Sequence, residues 1–224
     1  TWCNPTGISL AADRRSALAA LADRHELLIL EDDVYRELWY DAPSPPPLQQ
    51  LAPEHVIRLG SFSKILAPGL RLGWLVAPPA LVRRCAGCGL LDSGGGVSHF
   101  AAHVVAGLFE MGTLDGHIER LRSAYRARRD ALLAALEQHM PEGCSWPAPA
   151  GGFFVWMRLP DDRDSAALLR DAEAGGVSYV PGSRFFVGGG KTGYLRLAFS
   201  LLGEDELAEG ARRLGRVIRE AEQK

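Results

Sequence analysis

The sequence predicts an α/β fold: the C-terminal half of a doubly wound, mostly parallel sheet, followed by a smaller α+β domain. Short apolar segments alternate with helical ones in the first part, which is the rhythm of parallel sheets. The helices lengthen after Pro79, so we place a domain boundary near Gly116, between domains over residues 1–116 and 117–224. With 47% hydrophobic and 23% charged residues, the 224-residue chain can bury a core.

The first helix is predicted to begin after Ser9, a residue type that caps helix N-termini, and to end near Glu26. Helical spacing of apolar residues gives it one buried face. That face is expected to carry Leu18, Leu21 and Ala22.

A fully apolar run at residues 27–30 follows and predicts a buried parallel strand. Three acids, Glu31, Asp32 and Asp33, stand at its carboxyl end, which is the end where open α/β sheets bind ligands. The next segment, residues 42–53, contains five prolines and is predicted to be a loop.

Two further strands are predicted at residues 56–59 and 72–76. In the second domain, apolar residues between Ile118 and Met140 keep helical spacing if Arg128 and Arg129 are passed over, which predicts a helix of about six turns. The remaining expected elements are strands at 153–159, 177–180 and 194–199, and a last helix from about Glu204.

Charge and composition exclude several classes of function. The 25 basic and 27 acidic residues give a net charge of −2, which argues against nucleic acid or an anionic membrane as a partner of this segment. No apolar stretch is long enough to cross a bilayer, and no leader is visible at Thr1, so we expect a cytoplasmic protein. The start resembles the middle of a longer protein.

Three motifs are interpreted as structural. Residues 188–192 resemble the end of a P-loop, but Phe185 occupies the position of its first glycine. Cys85 and Cys88 form a lone C-x-x-C pair, interpreted as small side chains on a packed helix, with a redox pair as the alternative. A helix-surface or interface position is expected for His99 and His103, and no metal site is predicted.

Polar clusters stand where three strands end, at residues 4–7, 32–35 and 61–64, the last followed by Arg71. Together they supply a carboxylate, a phenol, hydroxyls, one lysine and one guanidinium. A phosphorylated, cationic heteroaromatic aldehyde would use all of them: the lysine forms an imine, the carboxylate keeps the ring nitrogen protonated, and the hydroxyls and guanidinium hold the phosphate.

The motifs Asn4–Gly7, Asp32–Tyr35 and Ser61–Trp74 closely resemble the class I/II aminotransferases of fold type I, which use pyridoxal 5'-phosphate (PLP). Gly151–Trp156 and Tyr194–Phe199 resemble the same family's small domain, in the same order. The resemblance covers essentially the whole chain and is strongest to the aminoadipate and aromatic branch. The family's N-terminal portion is lacking here.

The resemblance implies a role for each matching residue. Lys64 would carry the cofactor as a Schiff base and move the proton of the substrate Cα. Asp32 would pair with the pyridinium nitrogen, whereas Asp33, on the opposite side of an extended strand, would be a structural acid.

The resemblance also assigns groups that hold the cofactor and the substrate. Tyr35 and Asn4 would hydrogen-bond the phenolic oxygen of PLP. Arg196 would bind the substrate α-carboxylate in a bidentate pair, assisted by Asn4. The phosphate would be held by Ser61, Ser63 and Arg71.

The predicted function is transfer of an amino group between an α-amino acid and a 2-oxo acid, in a homodimer. Residues 91–100 contain no lysine or arginine, which weakens a dedicated dicarboxylate specificity. Two alternatives remain: an aminotransferase-like domain of a winged-helix transcription regulator, and a PLP-dependent lyase on the same fold. Such regulators usually have Tyr-Asp where this chain has Val34-Tyr35, so we favour the enzyme.

Overall fold

The computed structural model describes residues 1–189 and 193–222, so Gly190, Lys191 and Thr192 of the rejected P-loop pattern lie outside the described residues. The chain forms two compact units. One comprises residues 1–2 and 9–121, and the other comprises residues 3–8 and the chain from Arg122 onward. The division falls inside a long helix that also contains Gly116.

The first unit alternates strands and helices. Its described elements, in chain order, are α1 (Ala12–Arg24), β1 (Ile29–Asp32), α2 (Leu48–Leu51), β2 (Val56–Ser61), β3 (Gly73–Val76), α3 (Pro79–Ala86), α4 (Gly89–Asp92), α5 (His99–Glu110) and the start of α6 (Leu114–His139). None of the described helices is long and apolar enough to cross a membrane.

The sheet of the first unit has the order β1-β2-β3. Strands β1 and β2 are parallel, with Asp32 opposite Leu59, and β3 returns antiparallel, with Gly73 opposite Ser61. The carboxyl ends of β1 and β2 and the start of β3 therefore lie at one edge of the sheet.

Strand β1 departs from its prediction in position and burial. It begins at Ile29, and the expected fully buried run is wrong, because Leu28 and Leu30 are 51% and 66% exposed. These two leucines share the side of the strand that carries Asp32, since side chains alternate along a strand. Within the described residues, that side of β1 is left largely uncovered.

Helix α1 begins at Ala12, with Ala11 rather than Ser9 at the N-cap. Of the predicted apolar face, Ala22 is buried and Leu18 packs against the core, but Leu21 is exposed, so the face is confirmed only in part. The buried residues follow an i, i+4, i+7 pattern: Arg15, Ala19 and Ala22.

Arg15 is buried because its guanidinium forms an ion pair with Glu31, the first of the three acids at residues 31–33. The Arg15 Nη1 to Glu31 Oε1 distance is 3.0 Å, and both side chains are less than 5% exposed. The Glu31 carboxylate also accepts the backbone N–H groups of Leu48 and Gln49, at 2.9 and 3.2 Å. It thereby caps α2, which explains a helical turn inside the predicted loop at 42–53.

The second unit packs helices against an antiparallel sheet of order β4-β6-β5. Its described elements are the rest of α6, β4 (Phe154–Arg158), α7 (Ser165–Ala174), β5 (Val180–Pro181), β6 (Tyr194–Ala198) and α8 (Glu204–Glu222). Strand β5 is shorter than predicted, because the Val177 N–H donates to Ala172 O at the end of α7 instead of to a strand.

Helix α6 confirms the predicted long helix and explains the two arginines within it. Leu132 and Leu136 are buried, as helical spacing predicts. The guanidinium groups of Arg128 and Arg129 hydrogen-bond to the protein. They donate to the carbonyl oxygens of Ser200 and Pro149, at 2.9 and 3.0 Å respectively. In contrast, Cys85 and Cys88 are exposed, so their predicted packing is wrong.

We expect Glu31→Ala to lower the free energy of unfolding by about 3 kcal/mol or more, because it leaves the Arg15 guanidinium buried without its carboxylate. It also removes the acceptor of two N–H groups of α2. The measurement is a urea titration followed by circular dichroism. Glu54→Ala, which removes an exposed acid of the same unit, should change stability by no more than about 0.5 kcal/mol. Equal effects of the two changes would contradict the structural role of Glu31.

Candidate active site

The acids that follow β1 are separated by strand geometry. Asp33 continues the hydrogen bonding between β1 and β2, since its N–H donates to Leu59 O at 3.1 Å. Its buried carboxylate lies 2.8 Å from Arg58 Nε and 3.7 Å from Arg36 Nη1. Asp33 is thus a structural acid, as predicted. Asp32 is exposed, and its Oδ1 accepts the Val34 N–H at 3.4 Å. The described residues place no cation in an ion pair with it.

Lys64 lies in a turn directly after β2. The Phe62 carbonyl accepts the N–H groups of Leu66 and Ala67, at 2.9 and 3.1 Å, which fixes the backbone of this turn. The Lys64 ammonium is 5.6 Å from the centroid of the buried Tyr35 ring. At that distance the ring face attracts the cation and holds the amine beside the segment that carries Asp32.

The three residues predicted to hold a phosphate lie at the same edge of the sheet. Ser61 ends β2, and its hydroxyl accepts the Ser63 N–H at 3.1 Å. Arg71 just precedes β3 and adopts a left-handed backbone conformation with φ of 48°, which is uncommon for a residue other than glycine. Its guanidinium is exposed and reaches Pro68 O at 3.3 Å. Hydroxyls and a planar guanidinium at one edge suit an anion.

The other two predicted residues meet in the second unit. Arg196 Nη1 donates to Asn4 Oδ1 at 2.6 Å. The Arg196 guanidinium also lies 4.2 Å from the centroid of the Phe154 ring and 5.1 Å from that of Phe185. Two ring contacts and one side-chain hydrogen bond restrict the directions in which this cation can point.

Gly7 explains how the loop that bears Asn4 is held. Its φ is +66°, and a Cβ there would lie 2.8 Å from Pro149 Cβ and 2.9 Å from Phe154 O. The Gly7 N–H donates to Cys3 O at 2.7 Å, which closes the loop around Asn4. Only glycine combines this backbone conformation with so close an approach.

The structure therefore gathers the predicted residues into two groups. One edge of the first unit carries Asp32, Tyr35, Ser61, Ser63, Lys64 and Arg71, and the second unit carries the Asn4–Arg196 pair. The sequence analysis missed Phe185 as a neighbour of Arg196. Phe154 and Trp156 are core residues, since both are buried.

Known proteins resemble this chain in sequence and in fold. Residues 1–214 match the model of the family Aminotransferase class I and II. The chain is 40% identical to aromatic-amino-acid aminotransferase 1 of Thermococcus litoralis, over 98% of this chain and 53% of that protein. It is 35% identical to the uncharacterized HTH-type transcriptional regulator YdfD of Bacillus subtilis, over 97% of this chain and 45% of that protein.

A solved structure shares the fold of the chain. It is the crystal structure of Pyrococcus horikoshii kynurenine aminotransferase in complex with PMP, KYN as substrates and KYA as products. The TM-score of the match is 0.92 and the sequence identity is 40%. The match covers 99% of this chain and 55% of that one. The chain thus spans about half the length of the curated relatives it matches. On the family match and the motifs that carry it, the chain belongs to the class I and II aminotransferases.

Proposed function

We propose that the protein containing this chain is a PLP-dependent aminotransferase that moves an amino group between an α-amino acid and a 2-oxo acid. The observation that carries the proposal is the set of side chains at one edge of the first sheet, where an unpaired carboxylate, an amine and a phosphate-type anion site occur together. The solved relative in complex with PMP supports the same cofactor.

The chemistry of the donor set fits PLP. Lys64 would hold its aldehyde, Asp32 its ring nitrogen and Tyr35 its phenolic oxygen, with Asn4 assisting at that oxygen. The phosphate would be held by Ser61, Ser63 and Arg71. When bound, PLP supplies an electrophilic carbon and a protonated ring that withdraws electrons from the substrate Cα.

Asp32 would place its carboxylate beside the ring nitrogen of the cofactor. A charge pair at ~4 Å gains about 4 kcal/mol at an effective dielectric constant of ~20, before desolvation is subtracted. Such a pair favours the protonated form of the ring nitrogen, because a nearby opposite charge stabilises the charged state. Because Glu31 and Asp33 are already paired with arginines, only Asp32 of the three acids is available for this role.

Lys64 and Arg196 have different roles toward the substrate: proton transfer and carboxylate binding. The Lys64 amine accepts the proton of the substrate Cα and returns it during the second half of the transfer. The Arg196 guanidinium binds the α-carboxylate as a planar fork, and so sets the direction of the Cα–H bond.

The proposed substrate class is inferred from the substrates in the names of two relatives. The T. litoralis protein is named for aromatic amino acids, and the P. horikoshii protein for kynurenine. We therefore place aromatic and aminoadipate-type amino acids among the substrates, with broad specificity. A cytoplasmic homodimer is part of the same proposal. Transamination by the purified protein separates this function from that of a regulator such as YdfD, and product analysis separates it from a lyase.

The first prediction concerns attachment of the cofactor. The sequence has three lysines, of which Lys191 and Lys224 lie outside the described residues. Borohydride reduction of the PLP-loaded protein, followed by peptide mapping, should place the pyridoxyl group on Lys64, and Lys64→Ala should abolish the label. A label on either of the other lysines would contradict the assignment.

The second prediction separates the two adjacent aspartates. Asp32→Asn should lower kcat at least ~10²-fold, about 2.7 kcal/mol, with little change in stability, because the exposed carboxylate supports chemistry and not packing. Asp33→Asn should lower the free energy of unfolding by about 2 to 4 kcal/mol and retain much more of kcat, because it breaks the buried pair with Arg58. Steady-state kinetics and urea unfolding of both variants provide the test. The reverse ranking would mean that the motif is assigned one residue out of register.

The third prediction concerns the carboxylate site. Arg196→Ala should raise KM for amino acids and 2-oxo acids, and Arg196→Lys should also be impaired, since an ammonium cannot form the fork. An α-amino acid and its decarboxylated amine are compared by kcat/KM on each variant. The amine should be nearly insensitive to the change. Equal losses for the two compounds would show that Arg196 is structural.

A further inference from the structure

Arg129 is a buried cation that the reaction itself does not use. It lies in the middle of α6, with a side chain that is 7% exposed, at a position where helical spacing would favour an apolar residue. Its Nε and Nη2 are each 2.8 Å from Asp130 Oδ1, which balances the charge from the helix surface. A long charged side chain held inward in this way needs a structural reason, because burying it costs solvation.

The inward end of Arg129 holds the loop before β4. Nη1 donates to Pro149 O at 3.0 Å, in a hydrogen bond that is itself buried. A guanidinium hydrogen bond to a carbonyl is charge-assisted and stronger than one between neutral groups. The main chain at Pro149 is therefore fixed to α6 by a side chain that no family motif in the sequence includes.

The loop of residues 3–7, which we call the Asn4 loop, packs against Pro149. A Cβ on Gly7 would lie 2.8 Å from Pro149 Cβ, so the two residues are in close contact. Asn4, in the same loop, accepts from Arg196, and Arg196 lies over the Phe154 ring. Arg129, Pro149, Gly7 and Asn4 thus form one continuous series of contacts ending at Arg196.

We propose that Arg129 is a positioning residue for the carboxylate-binding pair Asn4–Arg196, acting through Pro149 and Gly7. The inference rests on the proposed function in assigning the α-carboxylate to Arg196. Loss of the Pro149 hydrogen bond would let the Asn4 loop shift, and small displacements of an orienting group cost much in affinity and rate.

The test uses the whole protein loaded with PLP and two matched variants, Arg129→Met and Arg128→Met. Arg128 is the neighbouring residue on α6 and also donates to a carbonyl, but that carbonyl belongs to Ser200 and not to Pro149. We expect Arg129→Met to raise KM for an α-amino acid and Kd for a 2-oxo acid ~10-fold, with kcat changed less and the decarboxylated amine unaffected. Arg128→Met should leave both constants within ~2-fold of the wild type.

Two further variants keep the proposal falsifiable if Arg129→Met does not fold. Arg129→Lys retains one donor for Pro149 O and should weaken 2-oxo acid binding less than Gly7→Ala, which forces the loop away from Pro149. The double variant should lose less affinity than the product of the two single losses, because both act on one loop. Kd is measured by titration calorimetry and folding by circular dichroism.

The outcomes separate this inference from the proposed function. An active wild type in which Arg129→Met and Arg128→Met lose the same affinity, or in which the amine suffers as much as the amino acid, would overturn the positioning role alone. Multiplicative losses in the double variant would also overturn it. A folded wild type that binds PLP but transfers no amino group would instead overturn the proposed function, and the inference with it.

Discussion

The alternation of side chains at the end of β1 determines what the three acids of the sequence can do. Glu31 and Asp33 share one side of the strand, and both are buried against arginines, Arg15 and Arg58. Asp32 lies between them on the other side and is exposed. A shift of one residue in the register of β1 would exchange these roles and bury the carboxylate proposed to pair with the ring nitrogen. The register opposite β2 therefore determines the chemistry of the site.

Buried arginines hold the segments on which the predicted site depends. Arg15 donates to Leu10 O and Pro46 O as well as to Glu31, and Arg129 donates to Pro149 O. In both cases the carbonyl belongs to an irregular segment, whose polar backbone groups no ladder satisfies. A guanidinium can reach several such groups at once, because its five donors form a rigid fork. These arginines give irregular chain an order that secondary structure does not supply.

These contacts between buried charged side chains and distant segments limit what the sequence could predict. The clusters at residues 32–35 and 61–64 lie at one edge of the first sheet, because the carboxyl ends of parallel strands meet there, whereas the cluster at residues 4–7 lies in the second unit and does not follow a strand. Helix α6 was correctly predicted from its spacing. The face of α1 was predicted only in part, because its buried stripe begins with Arg15, and a hydropathy pattern counts an arginine as surface. The turn of helix α2 was missed for a related reason: its cap is Glu31, which is distant in sequence. Local patterns contain no information about such partners.

The residues that make up a family motif and the residues that keep it in place are different sets. Asn4 and Gly7 belong to a motif, yet the loop they form rests on Pro149, which Arg129 holds from a helix outside every motif. Asp32 belongs to a motif, yet its neighbours are fixed by Arg15 and Arg58. A chain could therefore keep every motif residue and lose the geometry through one substitution at a buried arginine. In this chain the proposed site rests on segments held by buried arginines as well as on the motif residues.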